Sequence, residues 1–198
     1  MEAFFLDSGM SWTMSKVIPY LITILLGIVL VFILKRPLKS INKYVKWLLL
    51  LVIFALPFGV YFVMNPIYQG DFSNNSVEAE RAVANKELTG EKLVVITIPG
   101  CKYCYEAIDD LIVMKSRVEG MQIEYVVCSK DSSAIQWYSD KAGESIHVRL
   151  ADNPEAMMEL ANFSFPAFIL VDNNKPHKKW SNDSFGVFAK DEVELNFN

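Results

Sequence analysis

The chain has 198 residues, 52% hydrophobic and 21% charged, with a formal net charge of −4. That apolar share lies above the usual range of a soluble domain and excludes a disordered chain. Residues 1–64 hold six Lys/Arg against two acids, whereas residues 65–198 hold 13 against 21; the acidic back excludes a nucleic-acid-binding role there, and three cysteines are too few for a disulfide-stapled scaffold.

Residues 1–16 read as a short tail. Val17–Leu34 and Trp47–Met64 are each eighteen residues without a charge. At ~1.5 Å per residue, each run approaches the ~30 Å of a hydrocarbon core, so both are predicted to span a membrane as helices. Pro19 and Pro57 are tolerable there because neighbouring groups re-satisfy the freed carbonyls. Residues 35–46 between them carry Lys35, Arg36, Lys39, Lys43 and Lys46 and no acid. The positive-inside rule places this loop in the cytoplasm and both termini outside. The first run lacks the basic n-region and small-residue cleavage site of a signal peptide, which predicts an uncleaved anchor. Neither run contains Asp, Glu, Lys, Arg, His or Cys. The pair therefore reads as an anchor in the lipid bilayer or a docking surface, not a proton or ion path.

Residues 65–91 read as a linker. Asn65–Gly70 is punctuated by Pro and Gly, and a helix is predicted over Ser76–Leu88 with Asn75 as its cap and Glu78 completing a capping box. From residue 92 the pattern alternates. Leu93–Ile98 is a β-branched run suited to a buried strand. Pro99-Gly100 stops it, and Cys101–Val118 reads as a helix. Ile123–Cys128 is a second strand and Ser132–Ala142 a second helix. Ile146–Leu150 is a short extended piece. Asn153 as cap with Pro154 in the first turn opens a helix through Ala161. Pro166–Val171 is a further strand, Asn173-Asn174 a turn, and Lys178–Trp180 an antiparallel return. Lys190–Leu195 ends the chain as a short helix. The order describes an α/β domain over residues 92–198.

Cys101-Lys102-Tyr103-Cys104 falls where a strand gives way to a helix. One alternative is half of a zinc site, but no second Cys or His pair follows; the other is a static disulfide or two idle thiols. The redox alternative has a direct physical basis. Unpaired amides and the positive end of the dipole at a helix N-terminus favour a thiolate on Cys101, and the Lys102 charge acts in the same sense. Cys104, one turn on, is placed to attack a mixed disulfide formed at Cys101. Phe165-Pro166 precedes a strand of the same domain, where a cis bond would turn a backbone edge towards the motif. Cys128 at a strand end reads as a buried small apolar residue. His147, His177, Asp109 and Asp110 read as surface residues.

This arrangement resembles the thioredoxin superfamily over residues 92–198. The resemblance rests on the strand, the Pro-Gly-Cys-Lys-Tyr-Cys turn, the long helix, and Ser164-Phe165-Pro166-Ala167 before a strand, hairpin and final helix. It implies an α/β thioredoxin-like domain preceded by an all-α two-helix transmembrane hairpin. It also implies a cis Pro166 facing the cysteine pair. The site residues would be Cys101 and Cys104 as the reacting dithiol, with Phe165, Pro166, Lys102 and Tyr103 contacting substrate; no metal and no cofactor are implied. The sequence departs from thioredoxin proper in having no Trp before Cys101 and no Pro between the cysteines. The expected function is membrane-tethered thiol–disulfide exchange on exported cysteine-containing proteins, outside the cytoplasmic membrane. A separate membrane redox partner is expected, because the spans carry no thiol to relay electrons. The alternative is an accessory subunit of a larger membrane complex that uses the same fold for docking.

Overall fold

In the computed structural model, residues 1–40, 42–68, 70–73, 75–78, 88–172 and 175–197 are described. The chain divides into two units, Met1–Tyr68 and Gln69–Asn198.

The first unit is helical. A short helix α1 (Glu2–Asp7) precedes two long ones, α2 (Trp12–Leu34) and α3 (Lys43–Met64). Both long helices are apolar and long enough to cross a membrane. Ser11 caps α2 by accepting from the Met14 amide at 3.2 Å, and Asn42 caps α3 by accepting from Tyr44 at 3.1 Å. The helices therefore start at their polar caps, upstream of the charge-free runs at Val17 and Trp47. Trp12, Ser15, Pro19, Tyr20, Thr23 and Gly27 form the buried stripe of α2 at helical spacing. Gly27 permits the close crossing: a Cβ there would stand 2.4 Å from the Phe54 carbonyl oxygen of α3. Leu25, Phe32, Leu51 and Val63, by contrast, point outward. The sequence offered no periodic run for α1. Its Glu2 forms an ion pair with Lys16 at 3.7 Å and accepts from the Tyr61 hydroxyl at 3.4 Å.

The second unit is built on a six-stranded mixed sheet of order β1-β6-β5-β2-β3-β4. The strands are β1 (Val77–Glu78), β2 (Lys92–Thr97), β3 (Ile123–Val127), β4 (His147–Leu150), β5 (Ala167–Asp172) and β6 (Lys175–Ser181). The β2–β3 and β3–β4 pairs are parallel; β2–β5, β5–β6 and β1–β6 are antiparallel. Successive residues Leu93, Val94, Val95 and Ile96 are all fully buried, so β2 is covered on both faces. Val94, Ile96, Val126, Ile169 and Val171 share a core cluster with Met157 and Ala161.

Among the described residues, four helices complete the unit: α4 (Lys102–Arg117), α5 (Gln136–Ala142), α6 (Pro154–Leu160) and α7 (Val187–Asn196). Cys104, Ile108, Leu111 and Met114 recur every three or four residues and form the buried side of α4. Asn153 caps α6 through the Ala156 amide, with Pro154 in its first turn. The stretch expected as one helix from Ser132 is a 3₁₀ turn, Ser132–Ile135, that passes into α5; Asp131 caps it by accepting from Ser133. The final helix starts at Val187, not Lys190.

One expectation is replaced. The helix predicted from Ser76 does not begin there, because Val77 and Glu78 pair with Lys179 and Lys178 as an edge strand. Its predicted residues 79–87 lie outside the described residues, as does the Asn173-Asn174 turn.

Candidate functional site

The site lies where β2 delivers the chain to α4. Between Thr97 and α4 stand Ile98, Pro99, Gly100 and Cys101. Cys101 is the N-cap of α4, with extended backbone, and its Sγ accepts from the Cys104 amide at 3.2 Å. The side chain thus occupies the place of a capping oxygen, where an unpaired helix amide meets whatever negative charge forms on sulfur. Cys101 and Cys104 are joined in a disulfide with Cα atoms 5.3 Å apart. The two sulfurs differ in access: Cys101 is half-buried and Cys104 is fully buried.

The neighbouring sequence-predicted residues sit as follows. Tyr103 is 63% exposed. Lys102 projects into solvent and pairs with Glu106 at 3.5 Å, one turn along α4. The Phe165–Pro166 bond is cis. Ala167, the next residue, pairs with Ile96, so Phe165-Pro166 is brought to the sheet end where β2 leads into the cysteine pair. Pro166 is buried, and Phe165 is partly buried against the core cluster. The sheet therefore gathers all six predicted site residues at one end. Cys128 is buried in the core cluster. Asp109 and Asp110 pair with Lys141 and Lys190 at 2.7 and 2.6 Å on the helix surface.

Three residues that sequence reasoning passed over hold the motif from beneath. The Tyr138 hydroxyl donates to the Ile98 carbonyl at 2.6 Å and accepts from the Thr97 hydroxyl at 3.2 Å. The Tyr125 hydroxyl donates to the Cys104 carbonyl. Tyr125, Tyr138 and Thr97 are all fully buried. Burial pushes both phenols above the ordinary tyrosine value, so both stay protonated donors. Together they tie the incoming loop and the first turn of α4 to the domain core. The available signal was the residue type: a buried tyrosine needs a partner for its hydroxyl, and both lie in otherwise apolar element faces. A further aromatic pair, Tyr105 stacked on Trp137 at 4.4 Å with the Lys141 ammonium over the Tyr105 ring, joins α4 to α5.

A strand ending in a C-x-x-C turn, a long helix, a parallel neighbour, then a cis proline before an antiparallel hairpin and closing helix define the architecture. The second unit is a thioredoxin-like α/β domain. No family model and no curated protein matches the chain. Solved structures do. A secreted Mycobacterium tuberculosis disulfide oxidoreductase, described as homologous to E. coli DsbE, is 14% identical over 56% of this chain and 84% of its own, with a TM-score of 0.45. The thioredoxin domain of a thiol-disulfide oxidoreductase from Bacteroides vulgatus is 18% identical over 62% of this chain and 94% of its own, with a TM-score of 0.46. A thioredoxin-like protein studied in its oxidised form is 15% identical over 67% of this chain and 97% of its own, with a TM-score of 0.41.

Proposed function

We propose that the chain is a membrane-tethered thiol–disulfide oxidoreductase whose working group is the Cys101–Cys104 pair. The observation that carries this reading is the asymmetry of the pair. Cys101 sits half-buried at a helix N-terminus with an amide on its sulfur, and Cys104 lies fully buried one turn behind.

That asymmetry supports a division of labour. In the oxidised protein, a client thiolate attacks the Cys101 sulfur, the Cys101–Cys104 bond breaks, and Cys104 leaves as a thiolate that takes up a proton. The client's second thiolate then attacks its own sulfur in the mixed disulfide, and Cys101 leaves as a thiolate held by the helix terminus. Two electrons pass from client to protein, and the steps run equally in reverse. Phe165 and Pro166, on the adjoining strand end, and Lys102 and Tyr103, within the motif, form the rim that a client segment would meet. Extended client backbone pairing at such an edge is a common recognition mode.

Two apolar helices with outward-facing Leu, Val and Phe side chains support an anchor in the bilayer. The five cations of residues 35–46 support a cytoplasmic loop, both termini outside, and the dithiol beyond the cytoplasmic membrane. Continued turnover would draw on a separate membrane redox partner, since all three cysteines lie beyond residue 100. The test is trapping in membranes. Cys104→Ala should accumulate mixed disulfides through Cys101, and Cys101→Ala should accumulate few. Equal trapping by the two variants would overturn the assignment of roles, and no trapping by either would overturn the reading.

A further inference from the structure

From Gly70 on, six residues after the end of α3, the chain belongs to the fold of the second unit. A Cβ on Gly70 would lie 1.7 Å from the Asp183 carbonyl oxygen, and one on Gly186 would lie 2.3 Å from the Gly70 oxygen, so these two backbones touch through paired glycines. The Phe188 amide donates to the Asp71 carbonyl at 3.2 Å, and Phe72 packs edge-on to Phe188 at 5.5 Å. The chain then adds β1 to the sheet edge. At the other side, Asn65 still belongs to the helical unit: its amide donates to the Tyr61 carbonyl at 2.9 Å, and the Asn65 carbonyl accepts from the Tyr20 hydroxyl. Five Cα steps separate Asn65 from Gly70, which span at most roughly 18 Å when fully extended.

The point of attachment matters as much as the length. Residues 183–188, which receive Gly70–Phe72, follow the end of β6. Ser181 of β6 pairs with Ala167 of β5, and Ala167 pairs with Ile96 of β2. The tether therefore joins the soluble unit at the sheet end that carries the disulfide, about two strand spacings, or ~10 Å, from the end of β2. The tether, the two residues from Ser181 to Asp183, the strand crossing and the five Cα steps from Ile96 to Cys101 together hold Cys101 within roughly 50–60 Å of the last turn of α3. This bound follows from chain length and sheet pairing within the soluble unit and holds for every orientation of that unit.

We propose that the clients of Cys101–Cys104 are cysteine pairs of membrane-embedded proteins that lie just outside the bilayer, in preference to cysteines of freely diffusing exported proteins. This rests on the membrane-anchored exchange reading above and narrows its substrate class. A client dithiol fixed near the bilayer surface stays within the thin layer that the short tether allows, and so encounters the disulfide more often than one spread through the bulk. A client dithiol held far from the surface does not enter that layer. The chemistry is the exchange already written: the client dithiol is oxidised to its disulfide, and Cys101–Cys104 is reduced to two thiols.

The test uses the full chain, oxidised, in lipid vesicles together with reduced client peptides on a single transmembrane anchor. One client carries its dithiol beside the bilayer, and the other carries it on a helical spacer of about 80 Å. Single-turnover oxidation of the near client should exceed that of the far client at least about tenfold. A Gly/Ser insert of about 30 residues after Ile67 should bring the two rates within about threefold by lengthening the reach. Equal rates on both clients with the native tether would overturn the proposal while leaving the exchange reading intact. A ratio unchanged by the insert would overturn it too, because the discrimination would not then come from the tether. No oxidation of either client, or of a soluble reference dithiol, would overturn the exchange reading itself.

Discussion

The two units use the same residue types to opposite ends. Leu51 of α3 is 64% exposed and Phe32 of α2 is 70% exposed, whereas Leu93 and Ile96 of β2 are at 0%. The difference lies in the order of residues. In α2 and α3 the apolar side chains run all the way round, and the inward stripe of α2 mixes the aromatic Trp12 and Tyr20 with the small or polar Ser15, Thr23 and Gly27. In α4 the buried residues Cys104, Ile108, Leu111 and Met114 keep to one side, and Lys102, Glu106, Asp109 and Asp110 are exposed. A helix apolar on every side requires an apolar surrounding, and one apolar on a single stripe requires a sheet to lie on. The helical unit therefore gains little from its own packing, while the sheet unit depends on it.

Paired truncations put that contrast to its hardest test. Ile96→Ala removes atoms from a fully buried strand and should cost the soluble unit ~2–5 kcal/mol, read as a shift of the denaturation midpoint. Leu51→Ala should leave the same midpoint within about 0.5 kcal/mol, since it trims an outward-facing side chain. A large loss from Leu51→Ala in detergent, where no lipid or partner competes, would mean that α3 is held chiefly by protein contacts, and the contrast would fail.

A smaller effect is expected at the ion cluster on the sheet. Glu124 of β3 accepts from Lys92 of β2 and Arg149 of β4, with the His147 ring 3.7 Å away. Burial pushes its carboxyl up, but the hydrogen bonds and charges of Arg149 and Lys92 outweigh that and hold it below the ordinary glutamate value. A depressed folded-state pKa contributes stability that is present above the ordinary value near 4.5 and is lost as pH falls through the folded one. Glu124→Gln should therefore cost about 1–3 kcal/mol at pH 7, and its difference from the parent should shrink below about pH 4. Urea titrations at pH 7 and at pH 3.5 would check both parts. A difference that grew on acidification would contradict the sign.

Local patterns carried most of the fold. The strand limits read from β-branched runs agree with the structure to within a residue, because Leu93–Thr97 and Ile123–Val127 are bounded by Gly and polar residues. The cap at Asn153 and the cysteine pair at a strand–helix junction were likewise legible, since each depends on adjacent residues only. What the sequence hid is non-local. Val77–Glu78 follows a plausible helix cap, yet becomes a strand because β6 offers an unpaired edge roughly a hundred residues later. Gly70 against Gly186, and Tyr125 beneath Cys104, join segments whose separation along the chain carries no periodic signal.

The smallest expected effect concerns a side chain on which the sequence argument placed weight. Lys102 adds a positive charge beside Cys101, and in low dielectric that would strongly favour the thiolate. The structure puts its side chain at 81% exposure, paired with Glu106 at 54%, so water and a carboxylate both screen the ammonium. Its place in the first turn of α4 is also the unfavourable end for a cation. Lys102→Ala should change stability by only a few tenths of a kcal/mol, in keeping with exposed pairs. In the reduced protein, it should slow alkylation of Cys101 by less than about threefold at physiological salt, because the Cys104 amide and the helix terminus remain. A tenfold loss, recovered by Lys102→Arg, would show that the ammonium governs the thiolate. Exposed charge in the sheet unit would then matter as much as its buried core, and the contrast between outward-facing and buried side chains would hold for packing alone.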